Sequence, residues 1–168
     1  MNIDDDDKKQ WFKDGALHRE DGPAIEREDG HKEWFINGKR HRVDGPAIEY
    51  PNGGKEWWVN GDLHREDGPA IIWADGDIAW YSNGKRHRVD GPAIVTADGY
   101  EAWYLHDNRH RVDGPAIVGP DNVGAWYING ILHREDGPAI EWSDGEKWWY
   151  LNGTKYTEDD FLTKIKNS

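Results

Sequence analysis

The sequence predicts an all-β protein, an elongated single antiparallel sheet of stacked β-hairpin repeats that ends in a short C-terminal capping helix. Two observations support this prediction. The segment His41 to Ile48, HRVDGPAI, recurs with Glu or Val in third place, and a tryptophan keeps the same 23-residue step from Trp11 to Trp149. Such a fixed period is typical of repeats that bury their apolar faces against one another. The recurring histidines are His18, His41, His64, His87, His110 and His133.

Each repeat is predicted to contain two short strands, because Asn-Gly and Asp-Gly pairs between strand-forming residues favour tight hairpin turns. Read as a two-residue loop, Asp29-Gly30 places Glu28 opposite His31. Ile25 then lies opposite Trp34, a favourable cross-strand pair that recurs in every later repeat. We therefore expect a core face of tryptophan and isoleucine. The later pairs are Ile48–Trp57, Ile71–Trp80, Ile94–Trp103, Ile117–Trp126 and Ile140–Trp149.

The face opposite this predicted core changes along the chain. In the first two hairpins, Glu26 faces Glu33 and Glu49 faces Glu56, so we expect these carboxylates to splay into water or to await a cation. Later hairpins carry aliphatic residues and tyrosine there, and such a patch usually marks an interface, unless the sheet curls or loops cover it. The predicted interface residues are Ile72, Ala79, Tyr81, Val95, Ala102, Tyr104, Val118, Ala125 and Tyr127.

The two ends differ from the repeats. Residues 1–8 include Asp4 to Lys8, which resembles a protease cleavage site, so this part is an acidic N-terminal segment or a tag remnant. Residues 9–156 hold six to seven repeats. Residues 157–168 carry a helix signature, with Thr157 as N-cap and Phe161 and Ile165 on one face. We expect this helix to cover the edge of the last hairpin.

Composition narrows the classes of function. The chain has no cysteine, so neither a disulfide framework nor a thiolate metal site is available. The net charge of −12 argues against a nucleic-acid groove or a flat membrane-binding face. No run of about 18 apolar residues and no signal-peptide region occurs, so we expect a soluble, cytoplasmic chain.

The repeated His-Arg-x-Asp set resembles catalytic pairings of imidazole with carboxylate. It occurs six times, however, and equivalent histidines should lie about 10 Å apart, too far to share a metal ion. We therefore expect structural roles for His41, Arg42 and Asp44 and assign no catalytic residue, no metal ligand and no cofactor. His106-Asp107-Asn108, which replaces Asn-Gly, is interpreted as a loop variation rather than a metal site.

The third residue of the motif, Glu or Val, matches the residue at the position before the histidine of the next repeat in five pairs, and only Val89 with Arg109 is mismatched. A glutamate is matched by a basic residue, as Glu20 is by Arg40, and a valine by a leucine, as Val43 is by Leu63. Two interpretations remain open: the matched positions touch, or the alternation survives from duplication of a two-repeat ancestor.

Asn37 to His41, the later Asn52-Gly53, Trp57 and the 23-residue step resemble the membrane occupation and recognition nexus (MORN) repeat, over about residues 9 to 156. The chain departs from that pattern after the histidine, where Arg-x-Asp-Gly-Pro-Ala replaces Gly-x-Gly, so it looks like a divergent, MORN-like branch. The resemblance implies an elongated sheet of hairpins used mostly for protein–protein contact and dimerisation, with lipid binding claimed for some members.

We expect a non-enzymatic protein–protein interaction or scaffold module, with self-association as a homodimer among its options. The expected partner is a protein of unknown identity, and neither nucleic acid nor membrane lipid is expected. One alternative is a ligand-binding repeat that takes choline or carbohydrate on its aromatic face. A further alternative is an acidic decoy that occupies a nucleic-acid-binding protein.

Overall fold

The computed structural model describes residues 2–3, 8–121 and 123–167, and it is mostly β, with antiparallel hairpins and one short C-terminal helix. This confirms the predicted fold class. Two compact units divide the chain, residues 1–85 and residues 86–168. Asp4 to Asp7, the acidic part of the predicted N-terminal segment, lie outside the described residues.

Nearly every strand is two residues long. The first strands are β1 (Asn2–Ile3), β2 (Lys9–Gln10), β3 (Phe12–Lys13), β4 (Ala16–Leu17), β5 (Ile25–Glu26), β6 (Lys32–Glu33), β7 (Phe35–Ile36), β8 (Lys39–Arg40), β9 (Ile48–Glu49), β10 (Lys55–Glu56), β11 (Trp58–Val59), β12 (Asp62–Leu63), β13 (Ile71–Ile72) and β14 (Ile78–Ala79). The later strands are β15 (Tyr81–Ser82), β16 (Lys85–Arg86), β17 (Ile94–Val95), β18 (Glu101–Ala102), β19 (Tyr104–Leu105), β20 (Asn108–Arg109), β21 (Ile117–Val118), β22 (Gly124–Ala125), β23 (Tyr127–Ile128), β24 (Ile131–Leu132), β25 (Ile140–Glu141), β26 (Lys147–Leu151) and β27 (Thr154–Tyr156).

Each repeat contributes one hairpin to a main sheet and one side hairpin. In the first unit the main sheet has the order β1-β2-β5-β6-β9-β10-β13-β14, and in the second unit β17-β18-β21-β22-β25-β26-β27. The side hairpins form separate two-stranded sheets, such as β7–β8 in the first unit and β19–β20 in the second. The side hairpins close on Asn-Gly turns, in which Asn37 (φ 50°) and Gly38 (φ 77°) both take positive φ, as expected for a type I′ turn.

The Asp-Gly turns of the main sheet differ from the predicted two-residue loop. The amide of Arg27 donates to the carbonyl of His31 at 3.0 Å, and the amide of Gly30 donates to the carbonyl of Arg27 at 3.1 Å. The loop therefore has three residues, and only its last, Gly30 (φ 92°), requires the left-handed region. Ile25 lies opposite Glu33 and not Trp34, so the predicted register is wrong by one residue.

This one-residue shift reverses the face on which the isoleucines lie, because side chains alternate along a strand. Ile25, Glu33 and Ile48 are cross-strand neighbours on one face, which we call the isoleucine face. Glu26 lies opposite Lys32 on the other face, and we call that side, which also carries the tryptophans, the tryptophan face. Tryptophan and isoleucine therefore do not share a core face, contrary to the prediction.

The buried side chains are small or belong to the isoleucine face and its aromatic cover. Ala24, Ile25 and Phe35 form a cluster against which Leu17 packs, so the side-hairpin aromatic covers the isoleucine. The tryptophans of the 23-residue step remain half-buried, whereas Trp73 and Trp142 are exposed. The other buried apolar residues are Ala47, Ile48, Ala70, Ile71, Ala79, Ala93, Ala102, Tyr104, Ala116, Ala125, Ala139, Ile140 and Phe161.

The C-terminal helix α1 (Glu158–Lys166) begins where the sequence predicts. Thr157 is its N-cap, and its hydroxyl accepts from the amide of Asp160 at 3.2 Å. Phe161 is 2% exposed and its ring lies 5.2 Å from that of Trp149, so the helix packs on the last hairpin. Phe161 supplies the buried contact that fixes the helix, whereas Ile165 is half-buried.

Ile71 and Ile72 are adjacent but lie on opposite faces, so they test which face of the main sheet is the more buried. Ile71→Ala should lower the free energy of unfolding by about 2–4 kcal/mol because Ile71 is 9% exposed, and Ile72→Ala by roughly half of that. Denaturant unfolding of both variants measures the difference. A larger loss at Ile72 than at Ile71 would contradict this assignment of the buried face.

Candidate interaction surface

In five repeats an arginine is clamped against the tryptophan of the same repeat. The Arg42 guanidinium lies 4.0 Å from the Trp34 ring centroid, within the range of a cation–π contact. Its Nε–H donates to Asp44 at 3.0 Å, and its Nη1 donates to the Pro46 carbonyl at 3.2 Å and to Glu49 at 3.1 Å. Equivalent ring contacts of 3.9–4.1 Å are made by Arg19 on Trp11, Arg65 on Trp57, Arg111 on Trp103 and Arg134 on Trp126.

The glycine of Asp-Gly-Pro is needed because the guanidinium lies directly on the backbone. A Cβ on Gly45 would come within 3.0 Å of Arg42 Cζ, and a Cβ on Gly68 within 2.9 Å of Arg65 Cζ.

The hydrogen bond from Arg42 lowers the pKa of Asp44. The pair therefore stays ionised, and the same shift applies to Asp21, Asp67, Asp90, Asp113 and Asp136.

The histidine links successive repeats. His41 Nδ1 accepts the backbone N–H of Asn60 at 3.1 Å, and the neighbouring Gly61 amide donates to the Arg40 carbonyl at 2.9 Å. A neutral imidazole that accepts at Nδ1 carries its proton on Nε2. The bond recurs between His18 and Asn37, His64 and Asn83, His110 and Asn129, and His133 and Asn152.

Apart from His87, the motif's histidine, arginine and aspartate thus have structural bonds. Within residues 8–121 and 123–167, no three His, Asp or Glu side chains come together in a group that could hold a metal ion. The described part of the chain also has no helix that is both long and apolar enough to cross a membrane.

The third residue of each motif is exposed at the tip of its loop, and we call these six positions the tip residues. Val43 is 83% exposed, and the side chain of Glu66 is 90% exposed. Arg40 pairs with Glu33 at 3.0 Å, and Glu20 pairs with His18 of its own repeat at 3.2 Å, so both charged side chains have other partners. The tip residues are Glu20, Val43, Glu66, Val89, Val112 and Glu135.

Open grooves lie between successive loops, and tip residues form their rims. In the first unit, Glu20 and Val43 line a groove floored by Trp34 and Ile36, and Val43 and Glu66 line the next. In the second unit, Val89 and Val112 line a comparable groove over Trp103 and Leu105. The only signal in the sequence was the Glu and Val alternation within an otherwise constant motif, which sequence reasoning attributed to contacts between repeats or to ancestry.

The predicted interface residues do not form one patch. Ala79 lies opposite Ile71 on the isoleucine face, whereas Ile72 lies opposite Ile78 on the tryptophan face. Four of them are buried within the chain, at 0–7% exposure: Ala79, Ala102, Tyr104 and Ala125. The other five are half-buried: Ile72, Tyr81, Val95, Val118 and Tyr127.

The glutamates expected to splay into water are instead bound within the chain. Glu33 is 7% exposed and accepts from Arg40 at 3.0 Å and from His31 at 3.0 Å. Burial raises the pKa of Glu33, but these hydrogen bonds outweigh burial, and the pKa lies below its ordinary value. Glu56 accepts from the Tyr50 hydroxyl at 2.8 Å; burial and this bond raise the pKa of Tyr50 to about 12.

One repeat lacks the histidine link. His106 and Asp107 replace Asn-Gly, and the His106 ring stacks on His87 with centroids 4.1 Å apart. His87 Nδ1 is buried and has no hydrogen-bond partner among the described residues. Asp107 pairs with Arg86 at 2.8 Å. Burial, and then the nearby His106, lower the pKa of His87.

No known family model matches this chain, and no curated protein matches it either.

The close approach of Gly68 to Arg65 generates a double-mutant prediction. Gly68→Ala should destabilise the fold by about 1–2 kcal/mol, because the new Cβ pushes the guanidinium off Trp57. In an Arg65→Ala background the same change should cost almost nothing. The coupling energy between the two positions is then about 1–2 kcal/mol, and denaturant unfolding measures it. Equal costs in both backgrounds would show that the clamp is not the reason for the glycine.

The His87–His106 stack predicts a loss of stability in acid. The pKa of His87 is lowered in the folded state, so its contribution is complete above the ordinary histidine pKa of about 6.5 and is lost as the pH falls through the folded-state pKa. His106→Asn, which removes the second imidazole, should therefore lose less stability between about pH 7 and pH 5. Thermal unfolding across this range measures it, and parallel curves for both proteins would refute the prediction.

Proposed function

We propose that this chain is a non-enzymatic, MORN-like interaction module that binds a protein partner along its tip residues. The proposal rests on one observation: neighbouring residues of the same motif have different roles. His41, Arg42 and Asp44 are engaged in bonds that hold the repeat together, whereas Val43 between them points into solvent. Residues that vary on a constant framework and remain exposed are where repeat proteins bind.

A partner that is a protein suits the chemistry of this surface better than a small molecule does. The tip residues are aliphatic or acidic, and the grooves between them are open on one side. Repetition of similar shallow grooves suits an extended partner that makes many weak contacts. Self-association and a cytoplasmic location, both expected from the sequence, remain part of this proposal.

The choline or carbohydrate alternative has less support. A quaternary ammonium binds over the open face of an aromatic ring. Trp34 and Trp57 already carry an arginine guanidinium at 4.0 and 4.1 Å. The ring face that such a ligand would need is therefore occupied by the chain itself.

Site-specific cross-linking tests the proposal, since the chain has no cysteine of its own. Val43→Cys carries a photo-activated cross-linker at a tip, and Glu28→Cys carries it at an exposed hairpin turn as the matched control. In native extract we expect one saturable protein adduct at position 43 and none at position 28. Equal labelling at both positions, or no protein adduct at position 43, would contradict the proposed function.

A further inference from the structure

The tip residues of the first unit form a row with the order acidic, aliphatic, acidic. Glu20 and Val43 line one groove, and Val43 and Glu66 line the next, so the three residues are consecutive along one surface. The grooves enclose about 470 and 680 Å³, within the range of about 300–1,000 Å³ that binds compact ligands. Each groove is large enough to admit a pair of small side chains.

The spacing of this row restricts the conformation of a partner. Equivalent residues of successive repeats are separated by two strands, hence by about 10 Å. A polyproline II helix has three residues per turn and rises about 3.1 Å per residue, so every third residue returns to the same face after about 9 Å. In a β-strand, residues three apart point to opposite faces. An α-helix would need a seven-residue step, and its diameter of about 10–12 Å would hold its backbone further from the groove floors than a polyproline II helix does.

The chemistry of the row restricts the side chains of the partner. Glu20 and Glu66 are acidic, and each stands beside an aspartate, Asp21 or Asp67, whose pKa is lowered by a hydrogen bond from the clamped arginine. Each of these tips therefore presents carboxylate groups that complement basic side chains. Val43 between them complements an aliphatic side chain. Beside the arginine-covered tryptophans, the groove floors carry Ile36 and Val59, apolar surface on which proline rings can pack.

We propose that the first unit binds a polyproline II segment of its protein partner in which basic residues occupy the first and seventh positions and an aliphatic residue the fourth. The intervening residue pairs, preferably prolines, enter the two grooves. The basic residues pair with Glu20 and Glu66, and the aliphatic residue packs on Val43. This inference rests on the proposed function and specifies the chemistry of the partner.

Fluorescence anisotropy with the labelled peptide Lys-Pro-Pro-Val-Pro-Pro-Lys tests the inference at low ionic strength. The unaltered chain should bind this peptide saturably. A Glu20→Lys, Glu66→Lys double variant should bind at least about tenfold more weakly, because two attractive contacts become repulsive. The charge-matched control is Glu28→Lys, Asp75→Lys, at exposed hairpin turns, and it should bind as the unaltered chain does.

A second peptide tests the spacing itself. One extra proline before the last lysine keeps the charge but moves that lysine out of register with Glu66, and the peptide should bind about tenfold more weakly. Equal binding of both peptides, equal weakening by the control variant, or preference for a helical peptide with basic residues seven apart would overturn the inference. If neither peptide binds while Val43→Cys still cross-links a protein, the polyproline inference is wrong but the proposed interaction module is supported. If cross-linking also fails, both proposals are wrong.

Discussion

The stacking of one arginine on one tryptophan is the contact on which the rest of each repeat depends. A guanidinium over an indole ring is worth about 0.5–2 kcal/mol, and its charged hydrogen bonds are worth about 1.5–3 kcal/mol each at partly buried positions. Arg42 is 22% exposed and combines these contacts with Trp34, Asp44 and a backbone carbonyl. The clamp explains why arginine, aspartate, glycine and proline recur together, since each is a part of the same small arrangement.

Much of the fold could be predicted because local chemistry determines it. The 23-residue period, the Asn-Gly turns and the capped helix each follow from residues close in sequence. The register could not be read in the same way. Asp29-Gly30 is compatible with a two-residue loop and with a three-residue loop, because both place glycine where φ is positive. The three-residue loop places Ile25 opposite Glu33, whereas the two-residue loop would place it opposite Trp34. Only the backbone hydrogen bonds of Arg27 distinguish the two loops.

The same shift explains why the candidate site was only partly predictable. Sequence reasoning gave the His-Arg-x-Asp set a structural role, but it could not see that Arg42 lies on Trp34 or that His41 accepts from Asn60, because these contacts depend on the path of the loop. The wrong register also placed Ala102 and Tyr104 on an exposed face, although they are buried. Variation within a constant motif was the useful signal, and it points to solvent-exposed positions such as Val43.

The most direct test of this account is the exchange of arginine Nε–H protons with water, observed by NMR in the intact chain. The clamp requires that the Nε–H of Arg19, Arg42, Arg65, Arg88, Arg111 and Arg134 donates to aspartate in every repeat. These six protons should exchange much more slowly than the Nε–H of Arg27, an exposed arginine that serves as the reference within the same spectrum. Exchange at the rate of Arg27 for all six would show that the clamp does not hold in solution and would contradict the account.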